Sequence, residues 1–168
     1  MRDRVNTKDL MIRKHWTIDS GSSCVLCTGH NLETRDHLFF LCPFATACWD
    51  FIGIHWDGSL SISRRYIRAK RDFLGPYFLE IATCAAWNLW KERNGHIFKN
   101  QTPSLARWKV RFQHDLLLHQ HRVKPALVQP LIDWALSIFS WCFCVLWFST
   151  PPWCNPGGLF VPFILSIK

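Results

Sequence analysis

Three cysteines and two histidines fall within nineteen consecutive positions, four of the five in the pattern Cys24-x2-Cys27-x9-His37-x4-Cys42. Sulfur and imidazole donors in that combination suit Zn²⁺, whose filled d shell accepts tetrahedral thiolate and imidazole ligation without a geometric demand of its own. Two sulfurs separated by two residues reach one ion from a single tight turn, and Gly29 just behind them is free to take a positive φ. Cys42 precedes Pro43, a residue suited to the first position of a helix. Its sulfur is therefore expected to face exposed backbone N–H groups, which favour thiolate over thiol. With four protein ligands no position remains for an activated water, so the ion is expected to be structural. Closing the loop on zinc supplies on the order of 10 kcal/mol of apparent binding free energy.

Two alternatives stand beside this one. Cys24, Cys27 and Cys42 could be small buried apolar side chains with His37 an ordinary polar residue, or His30 could replace His37 as ligand. The density of donors and the polar loop between them favour a metal. The four-residue gap to Cys42 favours His37. Cys48, on the apolar face of the following helix, reads as core.

The elements that must position these residues follow from composition and periodicity. The chain has 168 residues, 49% of them hydrophobic, with 10 Trp, 13 Phe, 8 Cys and a formal charge of +8. That is too much apolar area for a disordered chain, and no repeat or sustained heptad is present. The segment MRDRVNTKDLMIRKHW is polar and basic, without the apolar stretch of a secretory signal. A nuclear or cytoplasmic setting is favoured, in which cysteines stay reduced.

Asn6 or Thr7 can cap a short helix from Lys8 to Lys14 with Leu10 and Met11 inward. Phe44, Ala47, Cys48, Phe51 and Ile52 lie at helical spacing after Pro43, ending at Gly53. A second helix is expected from Pro76 through Phe78, Ile81, Ala85, Leu89 and Trp90 to Asn94-Gly95. A third runs from Thr102-Pro103 through Leu105, Trp108, Phe112, Leu116 and His119, stopping before Pro125. Residues 24–27 and 38–41 are apolar runs that could be short strands beside the cluster.

After residue 130 the only charged residues are Asp133 and Lys168. A composition boundary is therefore placed near Leu131. The expected architecture is mainly α: a small zinc-knuckle-like CCHC module over residues 1–56, a basic helical region over 57–130, and a hydrophobic C-terminal helix or tail over 131–168. The 131–148 stretch is near the ~20 residues needed to cross a bilayer, which makes membrane association one function to consider.

The run CVLCTGHNLETRDHLFFLCPFATACWDF, preceded by RVNTKDLMIRKHW and followed by AAWNLWKERNGHIF, resembles the zinc-binding domain that follows the reverse transcriptase region in plant non-LTR retrotransposon polyproteins. The matching features are Thr7, the pair Cys24 and Cys27, Glu33-Thr34, His37 to Phe39, Cys42 to Phe44, Trp49, and Trp87 to Asn94, within a span of roughly residues 4 to 125. The resemblance implies zinc as cofactor, RNA or DNA as ligand, and the reverse transcriptase region of a parent polyprotein as partner. It also implies that the chain is a retrotransposon-derived remnant, because the tail beyond about Ser140 has no counterpart in that family.

An enzyme is not expected, since no paired aspartates, P-loop, Gly-rich phosphate cradle or G-x-S-x-G elbow occurs. Arg64, Arg65, Arg68, Lys70, Arg71 and Arg93 are the candidate phosphate contacts, with Lys91, Arg107, Lys109 and Arg111 able to extend the surface and Trp49 or Phe39 to stack on unpaired bases. The competing function is a structural or protein-interaction module whose basic face is solvated.

Overall fold

A computed structural model describes residues 5–17, 21–119 and 121–146. The described residues form α1 (Lys8–Arg13), a π-helical turn (His37–Leu41), α2 (Pro43–Phe51), α3 (Ile62–Asp72), α4 (Phe78–Lys99), α5 (Leu105–His119) and α6 (Pro125–Leu146). The protein is mainly helical, with the Cys/His cluster near its N-terminus. No strand forms among these residues. Where short strands were expected, a single antiparallel bridge joins Ser23 and Leu32, and residues 38–41 lie in the π turn.

Among the described residues the α4 and α5 helices form the most extensive contact between elements. Phe78, Ile81, Ala85 and Leu89 recur at i, i+3, i+7 and i+11 along α4 and are buried, as are Trp108, Phe112 and Leu116 along α5. The rings of Trp108 and Phe112 stack with centroids 5.1 Å apart. Each large side chain so buried contributes about 1.5–3 kcal/mol. The core continues through Cys48 of α2 and Ile52 just after it to Leu131, Ala135 and Phe139 of α6, so it runs across the composition boundary near Leu131.

Three details differ from the periodicity. The buried stripe of α2 is Ala45, Cys48 and Trp49, continuing to Ile52, whereas Ala47 is exposed. Trp49 sets that rotation, because its indole N–H donates to the Phe39 carbonyl at 2.6 Å. Residues 62–72 form a helix of their own inside the basic helical region expected over 57–130. The α4 helix also runs past Asn94-Gly95 to Lys99.

Gly95 is not a cap: it is buried, and a Cβ there would lie 2.9 Å from Gln101 Oε1. Asn100 takes the left-handed conformation instead, at φ 50°, and the Asn100 and Gln101 N–H groups close on the His96 and Gly95 carbonyls.

Finally, the last helix opens at Pro125, ahead of the boundary placed at Leu131. Its apolar face is used internally, with Leu131, Ala135 and Phe139 buried and Trp134 against Phe73, Tyr77 and Phe112. Among the described residues no helix is long and apolar enough to cross a membrane, so the expected 131–148 span is not found there. Residues 147–168 of the expected tail lie outside the described residues.

Candidate metal centre

The donor atoms of Cys24, Cys27, His37 and Cys42 all lie within 4.8 Å of one another. Cys24 Sγ is 3.9 Å from Cys42 Sγ, and Cys27 Sγ is 3.4 Å from His37 Nε2. A tetrahedral ion with bonds of about 2.3 Å to sulfur and about 2.0 Å to nitrogen spaces its ligands by roughly 3.5–3.8 Å, so the 3.9 and 3.4 Å separations lie close to those of a zinc shell and the 4.8 Å limit leaves the other pairs within reach of one ion. They are far from a disulfide, which needs sulfurs about 2.05 Å apart, and all three cysteines are free.

Each ligand is placed by local backbone chemistry. Cys24 N–H donates to the Asn31 carbonyl and Glu33 N–H to the Ser22 carbonyl, which folds the Cys24–Cys27 turn back on itself. The left-handed residue in that turn is His30 at φ 51°, not Gly29. His30 is exposed and takes no part in the cluster, which decides between it and His37. Thr34 opens the π turn: its Oγ1 accepts from His37 N–H at 3.0 Å and its carbonyl from Leu38 N–H, which aims the imidazole at Cys27.

Cys42 caps α2, with extended backbone at φ −65°, ψ 131° and Pro43 following. A hydrogen bond from the Cys24 thiol, together with the Ala45 and Phe44 N–H groups, outweighs burial and holds the Cys42 thiol below its ordinary pKa. The same bond to Cys42 and burial push the Cys24 thiol up. Burial pulls His37 down, toward the neutral imidazole that binds metal. Cys48 is fully buried outside the cluster, as its place on the α2 face predicts.

The residues around the ligands decide what the centre is joined to. Glu33 is fully buried, and Arg93 of α4 reaches it across 60 positions, donating Nη2 and Nε to Glu33 Oε1 at 2.7 and 3.1 Å. The same oxygen accepts Lys8 N–H at 3.1 Å, so Glu33 caps α1 where the Thr7 side chain makes no capping bond. Immediately before His37, Asp36 accepts Arg65 Nη1 of α3 at 2.7 Å. Arg65 also donates to the Asp57, Gly58 and Leu60 carbonyls and lies over the Phe40 ring. The ligand turn is thus held by two acids, each gripped by a buried arginine from a different helix.

These contacts turn two sequence-predicted cations inward. Arg65 and Arg93 are only 3% and 4% exposed and are not available to phosphate. Arg64, Arg68, Lys70 and Arg71 are exposed on α3. Of the extending set, Arg107 and Arg111 pair with buried Glu92, Lys91 with Asp115, and Lys109 lies over the Phe51 ring. Trp49 is buried, and Phe39, half-buried, stacks on Trp90.

The geometry asks for zinc, and comparison with known proteins agrees. Residues 1–49 match the family described as zinc-binding in reverse transcriptase. The matched segment contains all four ligands, and this agreement of family and geometry identifies zinc as the metal that the group holds. It also contains Glu33 and Asp36, whereas the two arginines that hold them lie beyond it. No curated protein and no solved structure matches the chain.

The roles of Glu33 and Asp36 were the part missed from sequence. The only available signal was their position just before His37, since their partners are 60 and 29 residues away.

Proposed function

We propose that the chain is a non-catalytic, zinc-pinned, nucleic-acid-binding module that holds RNA or DNA beside the reverse transcriptase region of a parent polyprotein, as a retrotransposon-derived remnant. The observation that carries this is the outer face of α3. Arg64, Arg68 and Arg71 follow at i, i+4 and i+7 and so form one stripe, while Arg65 and Ala69 turn the opposite side into the protein.

Arg64 and Lys70 have no ion pair among the described residues. Arg68 and Arg71 pair only with the acids Asp57 and Asp72, in contacts open to water. Such surface pairs are worth about 0.2–1 kcal/mol each, so a phosphate can replace them. The match to zinc-binding in reverse transcriptase supports nucleic acid as the ligand.

The test is fluorescence anisotropy with a labelled 20-nucleotide RNA and the equivalent DNA over a salt series. Binding should weaken log-linearly with salt, and the Arg64→Ala, Arg68→Ala, Arg71→Ala triple variant should lose roughly two units of slope on a single strand, about 0.7 per phosphate contact. Absent or salt-insensitive binding by folded, zinc-loaded protein overturns the proposal. A protein-interaction scaffold is the second function, favoured by the number of cations that serve internal ion pairs. It predicts no change in the triple variant.

A further inference from the structure

Beside the zinc centre a cavity of about 500 Å³ opens between the π turn, α2, α3 and α4. Its walls are formed largely by rings, among them Phe39, Phe40, Trp56, Tyr66, Trp87 and Trp90. An aromatic lining by itself fits many apolar occupants. Three further observations narrow the choice.

Trp87 is 54% exposed, so a ring face on the α4 wall is open to solvent rather than packed into the core. Trp56 is held edge-on by Phe40 and Trp49, and its buried indole N–H has no acceptor. Leaving such a donor unpaired in the folded state is costly, and an occupant that offers an acceptor removes the cost. Lastly, an unpaired cation is at hand. Lys70 lies one turn beyond Tyr66 on α3, exposed and without an ion pair among the described residues, whereas Lys91, with its Nζ 5.6 Å from the centroid of Trp87, is paired with Asp115.

A flat π surface, a hydrogen-bond acceptor on its edge and an attached negative charge are together the description of a nucleotide. An aliphatic side chain or a lipid tail offers none of the three. We infer that this groove is a base pocket for single-stranded nucleic acid, in which an unpaired base stacks against Trp87, accepts the Trp56 indole N–H at its edge and leaves its phosphate toward Lys70. The inference rests on the nucleic-acid function proposed above and adds to it the strandedness of the ligand and the side chains that read it. A duplex cannot enter, because its bases are already stacked and paired.

The zinc-loaded full-length chain should be titrated with a labelled 12-nucleotide single strand, with the same strand carrying abasic sites, and with the matching duplex. Trp87→Ala, at an exposed position, is expected to weaken single-strand binding about 5- to 100-fold, the range set by one base–aromatic stack. It should leave the salt slope and duplex affinity unchanged. Trp56→Phe, which keeps a ring and removes the N–H, should cost about 3- to 10-fold, near the net worth of one hydrogen bond. The wild-type protein should bind the abasic strand as weakly as Trp87→Ala binds the normal one, and circular dichroism should show both variants folded.

Salt-dependent oligonucleotide binding that neither substitution alters, or equal affinity for normal and abasic strands, overturns the base pocket while leaving nucleic-acid binding intact. A partner polypeptide whose binding is lost in Trp87→Ala while oligonucleotide binding is retained overturns it in the same way. Absence of any salt-dependent binding removes the underlying function and the pocket together.

Discussion

The ligand loop and the α4–α5 pair meet in one core but are held by different physics. Between residues 21 and 42 only Cys24, Leu26, Leu38 and Cys42 are buried apolar side chains, and the backbone makes one β-bridge and one π turn. That stretch stays folded through four metal ligands and two acids, Glu33 and Asp36, held by Arg93 and Arg65. Across α4 and α5 the polar contacts are secondary, and Phe78, Ile81, Leu89, Trp108, Phe112 and Leu116 exclude water over two to three turns of each helix. A segment with little apolar area of its own can be ordered by a metal and a few buried charges. Its order is then all-or-none in a way that the helix pair's is not.

Removing zinc is therefore the largest perturbation and also the most selective. Chelation, or Cys42→Ser, is expected to withdraw on the order of 10 kcal/mol of apparent binding free energy from the loop. Hydrogen exchange should show loss of protection across residues 21–42, with α4 and α5 still protected and zinc stoichiometry falling from one to zero. Equal loss in both regions would mean that the helix pair depends on the metal, and the contrast between them would be wrong.

Cutting one arginine grip is the next largest. Arg93→Ala leaves Glu33 buried without its main counter-ion, a type of change that costs about 3–5 kcal/mol. Urea denaturation should show that loss, and zinc affinity should fall with it, because Glu33 sits on the ligand loop and caps α1 through Lys8 N–H. A drop in stability with unchanged zinc affinity would show the grip to be confined to the helices. Replacing Glu33 and Arg93 together by Gln and Met should recover part of the loss, since the cost lies in the unpaired charge more than in the absence of the pair.

The same contrast explains what could be read from the sequence. Metal ligands must be close in space and, in a knuckle, close in sequence, so Cys24, Cys27, His37 and Cys42 were legible from spacing. The helices were legible because burial on one face imposes a 3.6-residue period, and the buried residues of α5 fall where that period places them. Rotation within the period was not. The stripe of α2 turned on one hydrogen bond from Trp49 to the Phe39 carbonyl, and no pattern of apolar residues encodes that bond.

Arg65 and Arg93 were read as surface cations because nothing local distinguishes an arginine that meets phosphate from one that meets a carboxylate tens of residues away. The π turn was hidden for a related reason. Four apolar residues before a Cys-Pro pair fit a strand equally well until Thr34 and the ligand geometry select the helical turn.

The smallest effect sharpens the contrast from the helical side. Asp115 on α5 pairs with Lys91 of α4 at 2.6 Å and accepts from Asn88 at 3.1 Å. Burial raises its carboxyl, but the hydrogen bonds from Lys91 and Asn88 and the Lys91 charge outweigh it and hold the group below its usual pKa. The folded value thus lies below the unfolded one. Its contribution is complete above the ordinary aspartate pKa of about 3.9 and is lost as pH falls through the lower folded value.

Asp115→Asn should then cost about 1 kcal/mol or less at neutral pH, as expected for a partly exposed pair. Its stability should also fall less steeply than the wild type's below about pH 4. The change should appear in the unfolding of α4 and α5, with zinc affinity at neutral pH unaltered. If Asp115→Asn instead loosens the metal, the ligand loop and the helix pair are coupled through α4 more tightly than their separate cores require.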